Sequence, residues 1–149
     1  MKIISGGQTG VDRAALDFGL LHQIEIGGYC PKGKIAEDGV IPSKYGLTEL
    51  SSQNYSQRTL KNVINSDATL IIYFDKLSGG TLNTRDFCRQ EDKPVLLIDA
   101  SQKTPNYWGQ KAKEFVSNYH VNTLNVAGPR SSKCSLCYEY TMRLLGQFL

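Results

Sequence analysis

Two stretches of this chain are apolar at almost every position, yet only six or seven residues long. Ala68–Phe74 reads ATLIIYF and Pro94–Asp99 reads PVLLID. A strand with one wet face alternates apolar and polar residues. A continuous run of this length indicates a strand covered on both faces, which is the habit of parallel sheets. Parallel strands need crossover connections, so helical stretches must lie between them.

Those stretches are present. Lys2–Ser5 predicts a first strand, ended by Gly6-Gly7. Val11–Gln23 places apolar residues at Val11, Ala14, Ala15, Phe18 and Leu21, a helical period. Glu25–Tyr29 predicts a second strand, and Thr59–Asn65 and Thr81–Gln90 predict short helices. Tyr107–Tyr119 is amphipathic, Thr123–Val126 predicts a last strand, and Cys134–Phe148 a closing helix. Cys30–Ser56 is rich in Gly, Pro and Lys, shows no period, and is too polar for core. The expected fold is α/β: one three-layer, Rossmann-like domain over residues 1–149. Its central parallel sheet has about five strands, with helices on both faces.

Composition narrows the class. With 149 residues, 40% hydrophobic and 21% charged, the chain fits a single packed domain, not a disordered, collagen-like or coiled-coil one. Seventeen Lys and Arg against fourteen Asp and Glu give +3, too little for a nucleic-acid-binding stripe. No apolar run approaches the roughly 20 residues of a membrane span. Glycines interrupt the N-terminal MKIISGGQTG, unlike a secretory signal. The expectation is a cytoplasmic protein with reduced thiols at Cys30, Cys88, Cys134 and Cys137.

Parallel sheets bind ligands beyond the carboxyl ends of their strands. The loops there are the informative part. Gly6-Gly7-Gln8-Thr9-Gly10-Val11-Asp12-Arg13 leaves a strand and opens a helix. Its amides and the helix dipole suit a phosphate, with Gln8 and Thr9 as side-chain donors. The same residues also suit a tight turn, with Thr9 as N-cap and Asp12 complementing the dipole. Ser78-Gly79-Gly80-Thr81 repeats the arrangement after the most apolar strand, and Arg85 lies one helical turn further on. Ala127-Gly128-Pro129-Arg130-Ser131-Ser132-Lys133 brings two cations to a third such place. In the long segment, Lys32, Lys34 and Lys44 fit a phosphorylated ligand, while Glu37 and Asp38 suit the polar edge of a heterocycle. A solvated flap is the plainer alternative. Tyr55, Arg58 and Thr59 precede a helix, and Arg58 points either to the pocket or to a partner subunit. Asp67 suits a turn acceptor. Cys134-x-x-Cys137 has no second pair of ligands, so a zinc site is not expected.

The segments GGQTGVDRAAL (Gly6–Leu16), GGYCPKGKIAEDGVIPSKYGLTEL (Gly27–Leu50), YSQRTLKNVINSDATLII (Tyr55–Ile72), SGGTLNTRDFC (Ser78–Cys88) and NVAGPRSSK (Asn125–Lys133) follow one another in order. Together they resemble the molybdenum-cofactor carrier proteins, a Rossmann-like group of the SLOG superfamily. Lys34 stands where that pattern has an arginine, and the last helix matches no motif. The resemblance implies a homo-oligomer, dimer or tetramer, and phosphate binding by the glycine loops. It implies the molybdenum cofactor (molybdopterin), or another phosphorylated nucleotide-like ligand, as cargo. The site expected is Gly6, Gly7, Gln8, Thr9, Gly10, Asp12, Lys32, Lys34, Asp38, Gly79, Gly80, Thr81, Arg85, Arg130 and Lys133. No catalytic residue, metal, nucleic acid or membrane is expected. Two other classes stay open. A phosphoribohydrolase-like enzyme would pair its GGT loop with a glutamate, where this chain has Leu82-Asn83-Thr84-Arg85, and would need Asp12 or Asp38 as acid or base. A nucleotide-sensing signalling module is the third.

Overall fold

A computed structural model describes residues 1–149. Five strands form the central sheet: β1 (Lys2–Ile4), β2 (Glu25–Gly27), β7 (Ala68–Tyr73), β8 (Val95–Asp99) and β9 (Thr123–Ala127). All neighbouring pairs are parallel, and their order across the sheet is β2-β1-β9-β7-β8. The helices are α1 (Val11–Leu21), α2 (Tyr55–Ile64), α3 (Gly79–Gln90), α4 (Pro105–Asn118) and α5 (Cys137–Leu145). Helices α1, α4 and α5 pack on one face, and α2 and α3 pair on the other. The expected three-layer α/β architecture is therefore present.

The strand order carries information of its own. If β9 is counted first, the order reads 3-2-1-4-5, the doubly wound arrangement. The strand that opens that arrangement thus comes last in this chain. Connections diverge on either side of β9, so the crevice at the carboxyl edge opens beside it.

The two faces of the sheet differ. Leu70, Ile72, Leu124 and Val126 join Val11, Ala15 and Phe18 in the main core under α1, α4 and α5. Each fully buried aliphatic side chain there contributes about 1.5–3 kcal/mol. Alternate residues of the same strands face α2 and α3, and there Thr69 and Asn125 are buried polar groups.

The segment expected to be non-core has structure of its own. Tyr29–Cys30 (β3) pairs in parallel with Thr48–Glu49 (β6). Ile35–Ala36 (β4) pairs antiparallel with Gly39–Val40 (β5). A 3-10 turn covers Ser43–Tyr45. Cys30, Ala36, Ile41, Tyr45 and Leu47 close with Leu16 into a second, small core. This corrects the expectation of a segment too polar for core, because α1 supplies the apolar partner. Tyr45 and Tyr138 hydroxyls both donate to Asp17, at 2.7 and 2.8 Å, tying this flap and α5 to α1.

Helices α1 and α4 end sooner than their apolar period suggests, at Leu21 and Asn118, while α3 ends at Gln90 as expected. Each closes with a left-handed residue, Gln23, Asp92 or His120. The following amides, of Ile24, Lys93 and Val121, return to Gly19, Cys88 and Val116 at 2.8 to 3.0 Å. These are Schellman closures without glycine.

Candidate functional site

The three glycine loops meet at the carboxyl edge around a cleft of about 360 Å³. Its walls come from the first loop, α2, the ends of β7 and β9, the start of α3, and the segment before α5. Of the expected residues, Gly6, Gln8, Asp12, Gly80, Thr81, Arg130 and Lys133 line it. Gly7, Thr9, Gly10, Lys32, Lys34, Asp38, Gly79 and Arg85 do not.

The first loop is already occupied by its own carboxylate. Asp12, in the first turn of α1, is buried, and it accepts the Gln8 N–H at 3.3 Å. Arg58 Nη1 lies 3.5 Å from Asp12 Oδ2 and donates to Gly6 O at 2.8 Å. A Cβ on Gly6 would overlap the Arg58 guanidinium, so only glycine lets Arg58 reach that carbonyl. Burial is the largest influence on Asp12 and pushes its pKa up, with Arg58 opposing. Further donors are spent locally: Thr9 N–H on Gln8 Oε1 at 3.0 Å and Val11 N–H on Pro129 O at 3.3 Å. The loop expected to cradle phosphate therefore turns most of its donors inward.

Glu37 fastens the flap over this loop. It accepts the Ser132 N–H at 3.1 Å, the Ser132 hydroxyl at 2.5 Å and the Thr9 hydroxyl. Arg130 Nε stands 3.5 Å away. The Ser132 and Thr9 hydroxyls hold the Glu37 pKa below the usual carboxylate value. Asp38 takes both Nη groups of Arg13, at 3.0 and 3.2 Å. Thr9 and Asp38 are thus committed to holding the flap, and Lys32 and Lys34 stand beyond the lining. Arg85 is paired with Asp86 at 2.7 Å.

The second loop differs. The first intrahelical bond of α3 runs from Leu82 N to Ser78 O, and the amides of Gly79, Gly80 and Thr81 have no protein acceptor. Ser78, the N-cap, makes no side-chain capping bond. A Cβ built on Gly79 would stand 3.6 Å from Lys133 Nζ, so that ammonium lies over the positive end of α3. Lys133 and Lys76 form no ion pair. Four cations line the cleft, Arg58, Lys76, Arg130 and Lys133, against one carboxylate, Asp12.

Sequence reasoning missed Tyr73, Phe74, Lys76, Asn62, Thr84 and Asn125, which also line the cleft. A polar residue at the centre of an apolar strand was the available signal for Asn125. Tyr55, Arg58 and Thr59 do face the cleft, and Arg58 stacks on the Tyr55 ring at 5.5 Å. Asp67 accepts the Asn122 and Thr123 amides at 2.9 and 2.7 Å, holding the start of β9 and not a turn of its own. The thiol expectation is corrected in part. Cys134 and Cys137 form a disulfide across the turn into α5, where their Cα atoms lie 5.6 Å apart, within bridging reach. Cys30 and Cys88 are free and buried.

A parallel sheet of permuted doubly wound order, with a polar cleft beside its central strand, defines a Rossmann-like α/β protein. The chain belongs to the circularly permutated YpsA SLOG family, whose model matches residues 3–149. It is similar to a solved structure named "putative molybdenum carrier protein" from Syntrophus aciditrophicus SB. That match has 47% identity and a TM-score of 0.98, and covers 99% of this chain and 94% of the other. No curated protein matches.

Proposed function

We propose that the cleft binds a small phosphorylated ligand, and that the chain carries the molybdenum cofactor or a related phosphorylated pterin. The observation that carries this is the meeting of Lys133 with the uncapped start of α3. Two positive ends converge there without a protein anion between them. An anion relieves that repulsion, and phosphate fits both the amides and the ammonium. Lys76 and Arg130 add charge from the rim. Asp12, the one carboxylate of the lining, is engaged by Arg58 and the Gln8 amide, which favours holding a ligand over acid–base turnover. The similar structure's name supports the choice of cargo.

The test is mass spectrometry of ligand released from purified protein, with molybdenum and phosphate assays. A stoichiometric phosphorylated pterin is expected. Lys133→Ala should lower its occupancy about tenfold, as loss of one charge-assisted bond implies. Absence of any bound phosphorylated compound, together with turnover of nucleoside monophosphates, would overturn the carrier reading in favour of a hydrolase.

A further inference from the structure

The floor of the cleft holds an amide whose oxygen has no partner. Asn125 lies at the middle of β9, flanked in the sheet by Ile4 on β1 and Thr69 on β7. Its neighbours Leu124 and Val126 face the main core, so Asn125 faces the cleft. It is 2% exposed. Asn125 Nδ2 donates to Thr69 Oγ1 at 3.2 Å. With Nδ2 spent on Thr69, the carboxamide has Oδ1 turned away from that hydroxyl. Oδ1 accepts nothing from the protein, yet it is not sealed off from the cleft.

A second amide is fixed in the opposite sense. Gln8, 8% exposed, uses Oε1 to accept the Thr9 and Glu37 amides at 3.0 and 2.9 Å. Its Nε2 donates to no protein group. The cleft thus presents one oriented acceptor at its floor and one oriented donor nearer the rim. Burying an amide group is unfavourable without a hydrogen-bond partner, so these atoms mark places where a bound molecule supplies one.

We propose that Asn125 is a specificity-determining residue: its Oδ1 accepts a ring N–H of a nitrogen heterocycle that enters the cleft with its phosphate at the start of α3. Gln8 Nε2 donates to a ring carbonyl or phosphate oxygen of the same ligand. The class that answers both is a fused pyrimidinone bearing an N–H beside a carbonyl, an edge common to guanine nucleotides and pterins. The inference rests on the proposed anion site and adds which part of the ring is read.

The experiment is calorimetric titration of the full-length protein with two probe pairs. One pair is guanosine monophosphate and its 1-methyl form; the other is 6-hydroxymethylpterin phosphate and its 3-methyl form. Ring methylation should weaken binding to the wild type about tenfold or more, since a site built to bond an N–H rejects the analogue lacking it. In Asn125→Ala the parent probe should weaken by a similar factor, and methylation should add nothing. Asn125→Ser, which keeps a polar group beside Thr69, should give the same pattern and guards against a folding defect. The tighter-binding pair identifies the source. Equal methylation penalties in wild type and variants overturn the assignment of Asn125. Failure of both parent probes also overturns it. If pyrophosphate then still binds, and does so more weakly to Lys133→Ala, the anion reading survives; if pyrophosphate fails too, both fall.

Discussion

Arg58 reaches across from α2 to within 3.5 Å of the Asp12 carboxylate, beneath the first glycine loop. Both side chains are about nine-tenths buried. Removing one partner of such a pair leaves the other charge buried and alone, at about 3–5 kcal/mol. Arg58→Ala should therefore lower stability by that order in urea unfolding. Arg58→Lys should recover only part, because a point charge cannot serve Asp12 and the Gly6 carbonyl with one planar fork. A loss under about 1 kcal/mol in Arg58→Ala would mean the pair carries no such role.

Asp12 also sets a pH dependence. Burial raises its pKa in the folded chain. The folded state then holds that proton more tightly than the unfolded state. Stability falls as pH rises from the ordinary carboxylate value through the raised one. Asp12→Asn removes this slope. Its melting temperature relative to wild type should climb as pH rises above the ordinary aspartate range, about pH 4. A constant difference above that pH would contradict the assignment.

Glu37 and Asp38 act with the opposite sign. Ser132 and Thr9 lower the first, and Arg13 lowers the second. Their hold on the flap is complete above the unfolded carboxylate pKa and is lost as pH falls through the lowered folded values. Hydrogen exchange should show the Ser132 and Glu37 amides opening at acid pH while β7 amides stay protected. Glu37→Ala should open the same amides at neutral pH. Simultaneous loss of protection in flap and sheet would argue against a separately fastened flap.

Two glycines should respond oppositely to alanine. Gly10 has φ of +80°, and a Cβ there would strike the Pro129 carbonyl and come within 2.9 Å of Ser131 N. Gly10→Ala should destabilise by more than about 1 kcal/mol. Gly80 lies in α3 with nothing within 4 Å of such a Cβ. Gly80→Ala should be neutral or stabilise by about 0.5–1 kcal/mol. Thermal unfolding of both variants decides the matter, and equal losses would contradict it.

The cysteine pairing has a direct count. Thiol titration of the denatured, unreduced protein should find two reactive groups, Cys30 and Cys88, and four after treatment with a dithiol. Four before reduction would remove the Cys134–Cys137 bridge.

β7, buried along nearly its whole length, declared itself in the sequence by its apolar run, while β8 carries a similar run although it is an edge strand and only Ile98 is fully buried. Helix ends were less legible. Gln23 and His120 adopt the left-handed closure that glycine usually marks, so no residue type announced where α1 and α4 stop. The flap was illegible for a different reason. Its two-residue strands are too short to show a period, and its small core exists only because Leu16 arrives from α1. At the site, glycine and hydroxyl spacing located the right loops. Spacing alone did not show that Asp12 fills the first and leaves the second open. That depends on Arg58, which lies far away in sequence and meets Gly6 only in the folded sheet.

The place of β9 bears on how the molecule is made. Thr123–Ala127 joins β1 to β7, so the early pair β1-β2 and the later pair β7-β8 share no ladder without it. During synthesis both pairs, each two parallel strands with a crossover helix, emerge before the strand that joins them. The five-stranded sheet can close only once that final strand is available to lie between them. Asn125 rides on that strand, so the cleft acquires its floor in the same event that completes the fold.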